Sequence, residues 1–444
     1  MKICLISPPF PFSGRVPIVP PILEYLGALT KKAMPEFEFQ LIDANINEPK
    51  PEEIEADVIG ISSMTATVTW TYKFSDELRR LGKKIILGGI HPTALPEEAK
   101  QHADSVVVGE AESVWGEVLK DASAKRLKPF YYGERLSLDD IPLPLAGFLK
   151  GHYKFRAVFT MRGCPYKCTF CSVRKFFGDT IRYRPIQKVV EEVETCTGRI
   201  YFNADDNIWG GDLNRSIELF SELSKGTKKW WYGFGDLRAP QSPDGDKLLR
   251  VARDSGLFSV WAGWETSSGE GLKMYHASAK QGKNREDAVK KIKDYGIDVI
   301  LFVVLGRRQD TPEDFEKTIE LAERLGVGIH PVLLTPLPGT ELYEEYRPYL
   351  LRDKGWEYYT GVNAVFEHPT MSPEEREKLF YRISLELLSI RRIVSHIFEI
   401  HLKGFPMTHL LSLMKQMPMR RAMQKAYWQW REDTFDGIKI AQML

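Results

Sequence analysis

Three of the chain's five cysteines crowd into eight residues. They stand as Cys164, Cys168 and Cys171 in the run Thr160-Met161-Arg162-Gly163-Cys164-Pro165-Tyr166-Lys167-Cys168-Thr169-Phe170-Cys171-Ser172. Such crowding inside a reducing compartment points to metal rather than cross-linking. Soft thiolates select zinc or iron–sulfur clusters. Three thiolates, spaced by three residues and then by two just beyond a predicted strand, suit three corners of a [4Fe–4S] cube. No fourth cysteine lies nearby, so one iron keeps an open position. That vacancy serves a chelating ligand, not a simple electron carrier. Zinc and three unrelated thiols are the competing readings. A closed zinc site wants four ligands, and the nearest histidine, His152, lies twelve residues before Cys164. Cys4 opens on an apolar strand and reads as core, and Cys196 closes a helical stretch before Gly198.

Other residues join by chemistry. Glu265 follows Trp261-Ala262-Gly263-Trp264, and a carboxylate buried at a strand end is costly unless it has a partner. Asp205-Asp206-Asn207 follows another strand, either as ligand contacts or as a solvated polar turn. Nearer the start come three short motifs in strand order: Gly60-Ile61-Ser62-Ser63-Met64-Thr65, Leu87-Gly88-Gly89-Ile90-His91-Pro92-Thr93, and Val108-Gly109-Glu110-Ala111-Glu112. Paired glycines let backbone approach a bulky ligand, and Ser and Thr hydroxyls can bond its amides and phosphate. His91 reads as a loop residue lining a ligand's tail or solvent, because a ligating histidine needs a positioned partner.

These residues need elements to hold them. Residues 1–125 alternate apolar strands (Lys2–Ser7, Phe37–Ile42, Val58–Ser62, Lys84–Leu87, Ser105–Val108) with helical patterns. Strands apolar throughout imply a parallel sheet covered on both faces, here a doubly wound, Rossmann-like domain. Such a sheet binds ligands at its carboxyl edge. Residues 126–152, with Leu138-Asp139-Asp140-Ile141-Pro142-Leu143-Pro144, read as a connector draped over a surface. Residues 153–345 hold six further strand–helix units, expected as a partial (β/α)6 TIM-like barrel. Residues 346–444 turn helical. Ser372-Pro373-Glu374-Glu375 opens one long amphipathic stretch to Leu402. Beyond it lies a tail rich in Met, Trp and Arg (Met414, Met423, Trp428, Trp430, Arg420, Arg421), read as a cap on the barrel, a wall of an apolar cavity or a membrane-facing patch.

Composition narrows the class. The chain has 444 residues, and 61 basic against 60 acidic side chains leave a net charge of +1. That is no electrostatic footprint for nucleic acid. The longest apolar run, Val299–Leu305, is far short of the ~20 residues of a membrane span. The start lacks a signal peptide's apolar stretch and cleavage site, so a soluble cytoplasmic protein is expected.

The segment Arg162–Cys171, following the first strand of a six-unit βα array, resembles the signature loop of radical S-adenosylmethionine (SAM) enzymes. The resemblance implies that SAM chelates the open iron and is cleaved to a radical that removes hydrogen from an unactivated carbon. The protein's part is to fix the cofactor and exclude water. It implies further that Phe170 lies beside the adenine. Asp205, Asp206 and Asn207 sit where relatives bind the SAM amino group, Glu265 where they contact the ribose, and Pro336 near the adenine site. The usual Gly-Gly-Glu after the second strand is absent. The three N-terminal motifs resemble the cobalamin-binding domain fused to many of these enzymes, implying contacts from Ser62, Ser63, Met64, Thr65, Gly88, Gly89, His91, Pro92, Gly109 and Glu110. The Asp-x-His-x-x-Gly motif that supplies a histidine to cobalt is replaced by Ser7-Pro8-Pro9-Phe10-Pro11-Phe12, so no histidine ligand is expected.

The leading expectation is a cobalamin-dependent radical SAM methyltransferase. Its substrate is a hydrophobic small molecule, a lipid or tetrapyrrole, and its electrons come from a flavodoxin- or ferredoxin-like donor. The tail leaves peripheral membrane contact open. The same cofactors serve cyclisation, ring rearrangement or carbon–carbon coupling in a second reading. A non-catalytic corrinoid or cluster sensor is the third. Cys168→Ala is expected to abolish iron incorporation and SAM cleavage while leaving corrinoid binding intact. Loss of both together, by iron count and absorption spectrum, overturns the assignment of the two cofactors to separate domains.

Overall fold

The computed structural model describes residues 1–11, 18–149, 151, 153, 155–401 and 406–432. Phe12, His152 and Leu402, and the side chain of Met414, lie outside the described residues.

The first sheet is built from β1 (Lys2–Ser7), β2 (Glu38–Asp43), β3 (Val58–Ser62), β4 (Lys84–Gly88), β5 (Ser105–Gly109) and β6 (Phe130–Gly133). All pairs are parallel, in the order β2-β1-β3-β4-β5-β6. Alternate side chains go to opposite faces. Ile3 and Leu5 join a core with Leu23, Val107 and Trp115, while Cys4 and Ile6 join another with Ile59, Leu78 and Val106. Covering on both sides explains why these strands are apolar at nearly every position. The strand order reverses between β1 and β3, which opens a crevice at the carboxyl edge. The stretch expected as connector supplies β6, paired along β5 from Val106–Phe130 to Gly109–Gly133. A helix not expected, Trp115–Ser123, buries Trp115, Val118, Leu119 and Ala122 against the first of these cores.

The second sheet starts at β7 (Arg156–Val158). The chain then leaves it, and β8 (Met161–Arg162) pairs antiparallel with β9 (Arg182–Tyr183). The strand expected over Arg156–Thr160 is therefore shorter, and the cysteine loop is an excursion closed at its stem. The sheet resumes with β10 (Ile200–Asn203), β11 (Trp230–Gly235), β12 (Leu257–Glu265), β13 (Asp298–Leu305) and β14 (Gly328–Leu333). These five and β7 lie side by side in sequence order, all parallel, as an open six-stranded barrel.

The helical stretch expected to run unbroken to Leu402 is two helices, Pro373–Leu387 and Ile390–His401, parted at Leu388-Ser389. The capping box at its start is present: Ser372 Oγ accepts from the Glu375 amide and Glu375 Oε2 from the Ser372 amide. In the last helix, Pro406–Arg431, Met423, Ala426 and Trp430 pack into the barrel core beside Tyr381. Trp428 is exposed. No described helix is long and apolar enough to cross a membrane.

Buried polar contacts stitch the two sheets together. Tyr25, on the helix Pro21–Ala33 of the first unit, donates its hydroxyl to Glu192 of the second at 2.6 Å. Arg184 Nη1 donates to the same carboxylate at 2.6 Å. Arg156 pairs with Glu24. Burial pushes Glu192 up, opposed first by Arg184. Glu192→Ala would leave the Arg184 guanidinium buried without its counter-ion, a loss of about 3–5 kcal/mol. Denaturant unfolding checks it, and a change under 1 kcal/mol would contradict the assignment.

Candidate functional site at the barrel mouth

The cysteine loop owes its shape to Gly163. Its φ is +94°, and a Cβ there would meet Thr180 O at 2.6 Å. The Cys164 amide donates to Gly178 O at 3.4 Å and the Cys171 amide to Cys168 O at 3.2 Å. Thr169 is held on both sides: its amide donates to Tyr275 O and its carbonyl accepts from Leu342 N, each at 3.1 Å. Tyr166 donates its hydroxyl to Asp236 Oδ2 at 3.1 Å.

All three cysteines face one cavity of about 510 Å³ at the carboxyl ends of the barrel strands. Among the described residues no three Cys, His, Asp or Glu groups converge as a single-ion site. Three sulfurs that each bind a different iron stand further apart than three around one ion. Three thiols, with no histidine or further cysteine among the described residues of the lining, fit three corners of a cluster better than a closed four-ligand zinc site.

The expected SAM contacts divide. Phe170 lines the cavity and meets Tyr275 edge-on at 5.1 Å. Asp206, Asn207 and Glu265 line it too. Burial, then the charge of Asp205, pushes the Asp206 carboxyl up to about 7. Glu265 is a non-glycine residue at φ +64°, set where the β12–β13 register slips, and is almost wholly buried. A left-handed carboxylate at a strand end marks a position held against its own preference.

Asp205 departs from expectation. It is fully buried, and its carboxylate accepts from the Thr160 amide and hydroxyl, both at 2.6 Å, and from the Met161 amide at 3.0 Å. Its work is to pin the turn that launches the cysteine loop. Pro336 is buried behind the wall, while its neighbours Thr335 and Leu337 line the cavity. Sequence reasoning passed over Asp236, which follows β11 and accepts from Tyr166, Asn207 Nδ2 and the Arg238 and Ala239 amides. A carboxylate just past a glycine-flanked strand end was its available signal. The aromatic wall of Phe234, Trp261 and Phe302 and the segment Tyr359-Thr360-Gly361 were also missed.

In the first unit, Ser62, Gly88, Gly89, Gly109 and Glu110 line a narrow apolar pocket of about 100 Å³, roofed by Phe176 and Phe177 of the second unit. Gly89 and Gly109 have φ of +99° and +86°, and a Cβ would meet Ser63 O at 2.6 Å or Gly133 O at 2.8 Å. A wider cleft of about 920 Å³ has Thr93, Gly109 and Gly133 on one wall and Cys168 and Cys171 on the other. A glycine-lined slot opening beside a wide cleft fits a large planar ligand with a tail.

Several expected corrinoid contacts lie elsewhere. Ser63 is buried and donates to Thr71 Oγ1 at 2.8 Å, and Thr65 and Pro92 are buried outside the pocket. Met64 is exposed. His91 is no solvent-facing loop residue: it sits in the short helix Ile90–Ala94, fully buried, with Nε2 3.2 Å from Glu98. Glu110 lines the pocket, but both its oxygens are taken by arginines of the second unit, Arg162 at 2.7 Å and Arg182. Arg162 also reaches Glu112 at 2.6 Å.

A doubly wound domain joined to a parallel half barrel, with a three-thiol loop after the barrel's first strand, defines an enzyme class that sets a large cofactor against a metal cluster. The B12 binding domain family matches residues 18–119, and the Radical SAM superfamily matches residues 158–322. The chain belongs to the radical SAM enzymes that carry a B12-binding domain, whose cofactors are a [4Fe–4S] cluster, SAM and cobalamin. It is 28% identical over 381 residues to the bacteriochlorophyllide d C-8(2)-methyltransferase of Chlorobaculum tepidum, covering 78% of this chain and 81% of that one. The C-12(1)-methyltransferase of the same organism is 26% identical over 370 residues, covering 79% of each. Among solved structures, the radical SAM methyltransferase TsrM of Kitasatospora setae superposes with a TM-score of 0.64 at 17% identity, over 85% of both chains.

Two outcomes test this geometry. Gly163→Ala should sharply lower iron content while corrinoid binding persists, because the added methyl meets backbone. Asp206 holds its proton more tightly folded than unfolded, since its value rises from 3.8 to about 7. Its ionisation therefore costs the cofactor-free protein stability as pH climbs through that window. Asp206→Asn should gain about 1–3 kcal/mol at pH 8 and little at pH 4, by thermal unfolding. An equal gain at both would refute the shift.

Proposed function

We propose that this enzyme transfers a methyl group to an unactivated carbon of a hydrophobic small molecule, in the first instance a tetrapyrrole. The observation that carries the reading is the cleft with Gly109 and Gly133 on one wall and Cys168 and Cys171 on the other. It brings a cofactor edge and a cluster loop to one space. The tetrapyrrole methyltransferases among its relatives support the choice of substrate.

When bound, the cluster with SAM supplies a radical that takes hydrogen from the substrate, and cobalamin supplies the methyl group. The chain's own residues do the rest. Cys164, Cys168 and Cys171 would hold the cluster. Phe170 packs beside the adenine, and Asp206, Asn207 and Glu265 face the polar groups of SAM. Asp236 braces the loop through Tyr166. Ser62, Gly88, Gly89 and Gly109 admit the corrinoid and its tail. Phe234, Trp261 and Phe302 exclude water from the reacting carbon. Electrons come from an external flavodoxin- or ferredoxin-like protein, and a reducing cytoplasm suits an oxygen-sensitive cluster.

The test is anaerobic purification with cobalamin, an iron count, and turnover with SAM, a reductant and bacteriochlorophyllide d. A product heavier by one CH2 is expected. An unchanged or dehydrogenated formula sinks methyl transfer and favours cyclisation, ring rearrangement or carbon–carbon coupling.

A further inference from the structure

The segment 355–361, beyond the last barrel strand, touches both halves of the molecule. Its first part is fastened to the cofactor domain. Trp356 Nε1 donates to Glu98 Oε1 at 2.9 Å, and Thr69 Oγ1 donates to Glu357 Oε2 at 2.6 Å. His91 meets the Trp356 ring edge-on at 5.0 Å and shares the same Glu98 oxygen. Burial pushes this carboxyl upward, but the bonds from His91 and Trp356 win and leave it below its usual range.

The second part of the segment forms cavity wall. Tyr359, Thr360 and Gly361 line the space in front of the cysteine loop, and Gly361 O accepts from the Leu333 amide of β14 at 2.7 Å. Tyr359 packs edge-on against Trp356 at 4.8 Å. The Tyr359 residue is 6% exposed, and among the described residues its hydroxyl has no hydrogen-bond partner. Burial, then Tyr343, pushes this phenol up to about 12, so it stays a donor at neutral pH. The same cavity carries Phe234, Trp261 and Phe302, with ring centroids 5.5–5.7 Å apart. A phenol donor beside a cluster of aromatic rings matches a flat, apolar molecule with an acceptor oxygen at its rim.

We propose that Tyr359 is a substrate-contacting residue that donates its hydroxyl to a rim oxygen of a planar apolar substrate, and that Trp356 and Glu98 are positioning residues that place it from the cofactor domain. This deepens the methyl-transfer reading and rests on it for the identity of the site. The chain Glu98–Trp356–Tyr359 makes the cavity wall depend on the domain that carries the corrinoid. A conformational change in the segment after β4 would therefore reach the substrate through one indole.

The experiment titrates bacteriochlorophyllide d into the reconstituted full chain by absorption, beside turnover. Tyr359→Phe should weaken binding about tenfold, with KM rising more than kcat falls, as for one lost hydrogen bond. Glu98→Ala should weaken it similarly while cobalamin affinity holds. Glu98→Gln, whose amide oxygen still accepts from Trp356, should restore most of the loss. Hydrogen exchange should quicken across 355–361 in the Ala variant and not in the Gln variant. Equal affinity of Tyr359→Phe and the parent chain, or indistinguishable Ala and Gln variants at position 98, overturns the proposal. So does a parent chain that fails to bind the probe. Failure of methyl transfer itself would show in product mass and leave these affinity ratios standing.

Discussion

The geometry of the whole molecule turns on a buried group of four charges beneath the cysteine loop. Arg162 and Arg182 form the paired stem of that loop, and Glu110 and Glu112 follow the fifth strand of the cofactor domain. Burial opposes the charge on Arg162, but Glu112 and Glu110 outweigh it and raise its basicity. Phe159 and Phe177 lie against the same guanidinium, at 4.7 and 5.5 Å. Desolvated ions of this kind add little net stability compared with apolar packing. Their effect is directional, because Arg182 grips Glu110 with both terminal nitrogens while Arg162 bridges Glu110 and Glu112, and such paired contacts tolerate little displacement. The stem of the cluster loop is thus located relative to the carboxyl edge of the first sheet.

The same use of carboxylates recurs at the strand ends. Asp205 binds three donors of the turn before the loop, and Asp236 binds Tyr166 inside it. Both are fully buried, and burial raises both, opposed first by Thr160 at Asp205 and by Asn207 at Asp236. Carboxylates that accept several bonds from one loop act as struts. Asp206 and Glu265 line the cavity beside Asp236.

Much of the architecture was legible because covered parallel strands are apolar at almost every position, as in Val58–Ser62 and Asp298–Leu305. The cysteine spacing was legible because its chemistry needs only local sequence. The sixth strand escaped notice because Phe130–Gly133 is four residues long and lies at a sheet edge, where flanking polar residues resemble a linker. Trp115–Ser123 carried its signal at positions 115, 118, 119 and 122, a helical spacing overlooked behind a glycine turn. The break at Leu388-Ser389 gave no breaker residue to read. Asp205, Glu110 and His91 are another matter. Residue type and position marked each as a contact, but the partners that consume Asp205 and Glu110, namely Thr160, Arg162 and Arg182, arrive from distant sequence, and Glu98 reaches His91 only because a second short helix folds back on the first. A one-dimensional reading cannot tell a strut from a ligand when both are carboxylates at strand ends.

The charge left facing the cavity has a consequence for which molecules it admits. Three thiols, Asp206, Asp236 and Glu265 line it, with Arg174 the single cationic side chain among the described residues of the lining. Placing further negative charge beside these carboxylates is costly. Asp206 relieves part of that cost by holding its proton to about pH 7. A cationic molecule relieves more, and SAM carries both a sulfonium and an ammonium. Apolar walls from Phe234, Trp261 and Phe302 continue from this acidic end, where charge finds no partner. One cavity thus carries linings of opposite character, acidic side chains beside the cysteines and an aromatic wall of Phe234, Trp261 and Phe302.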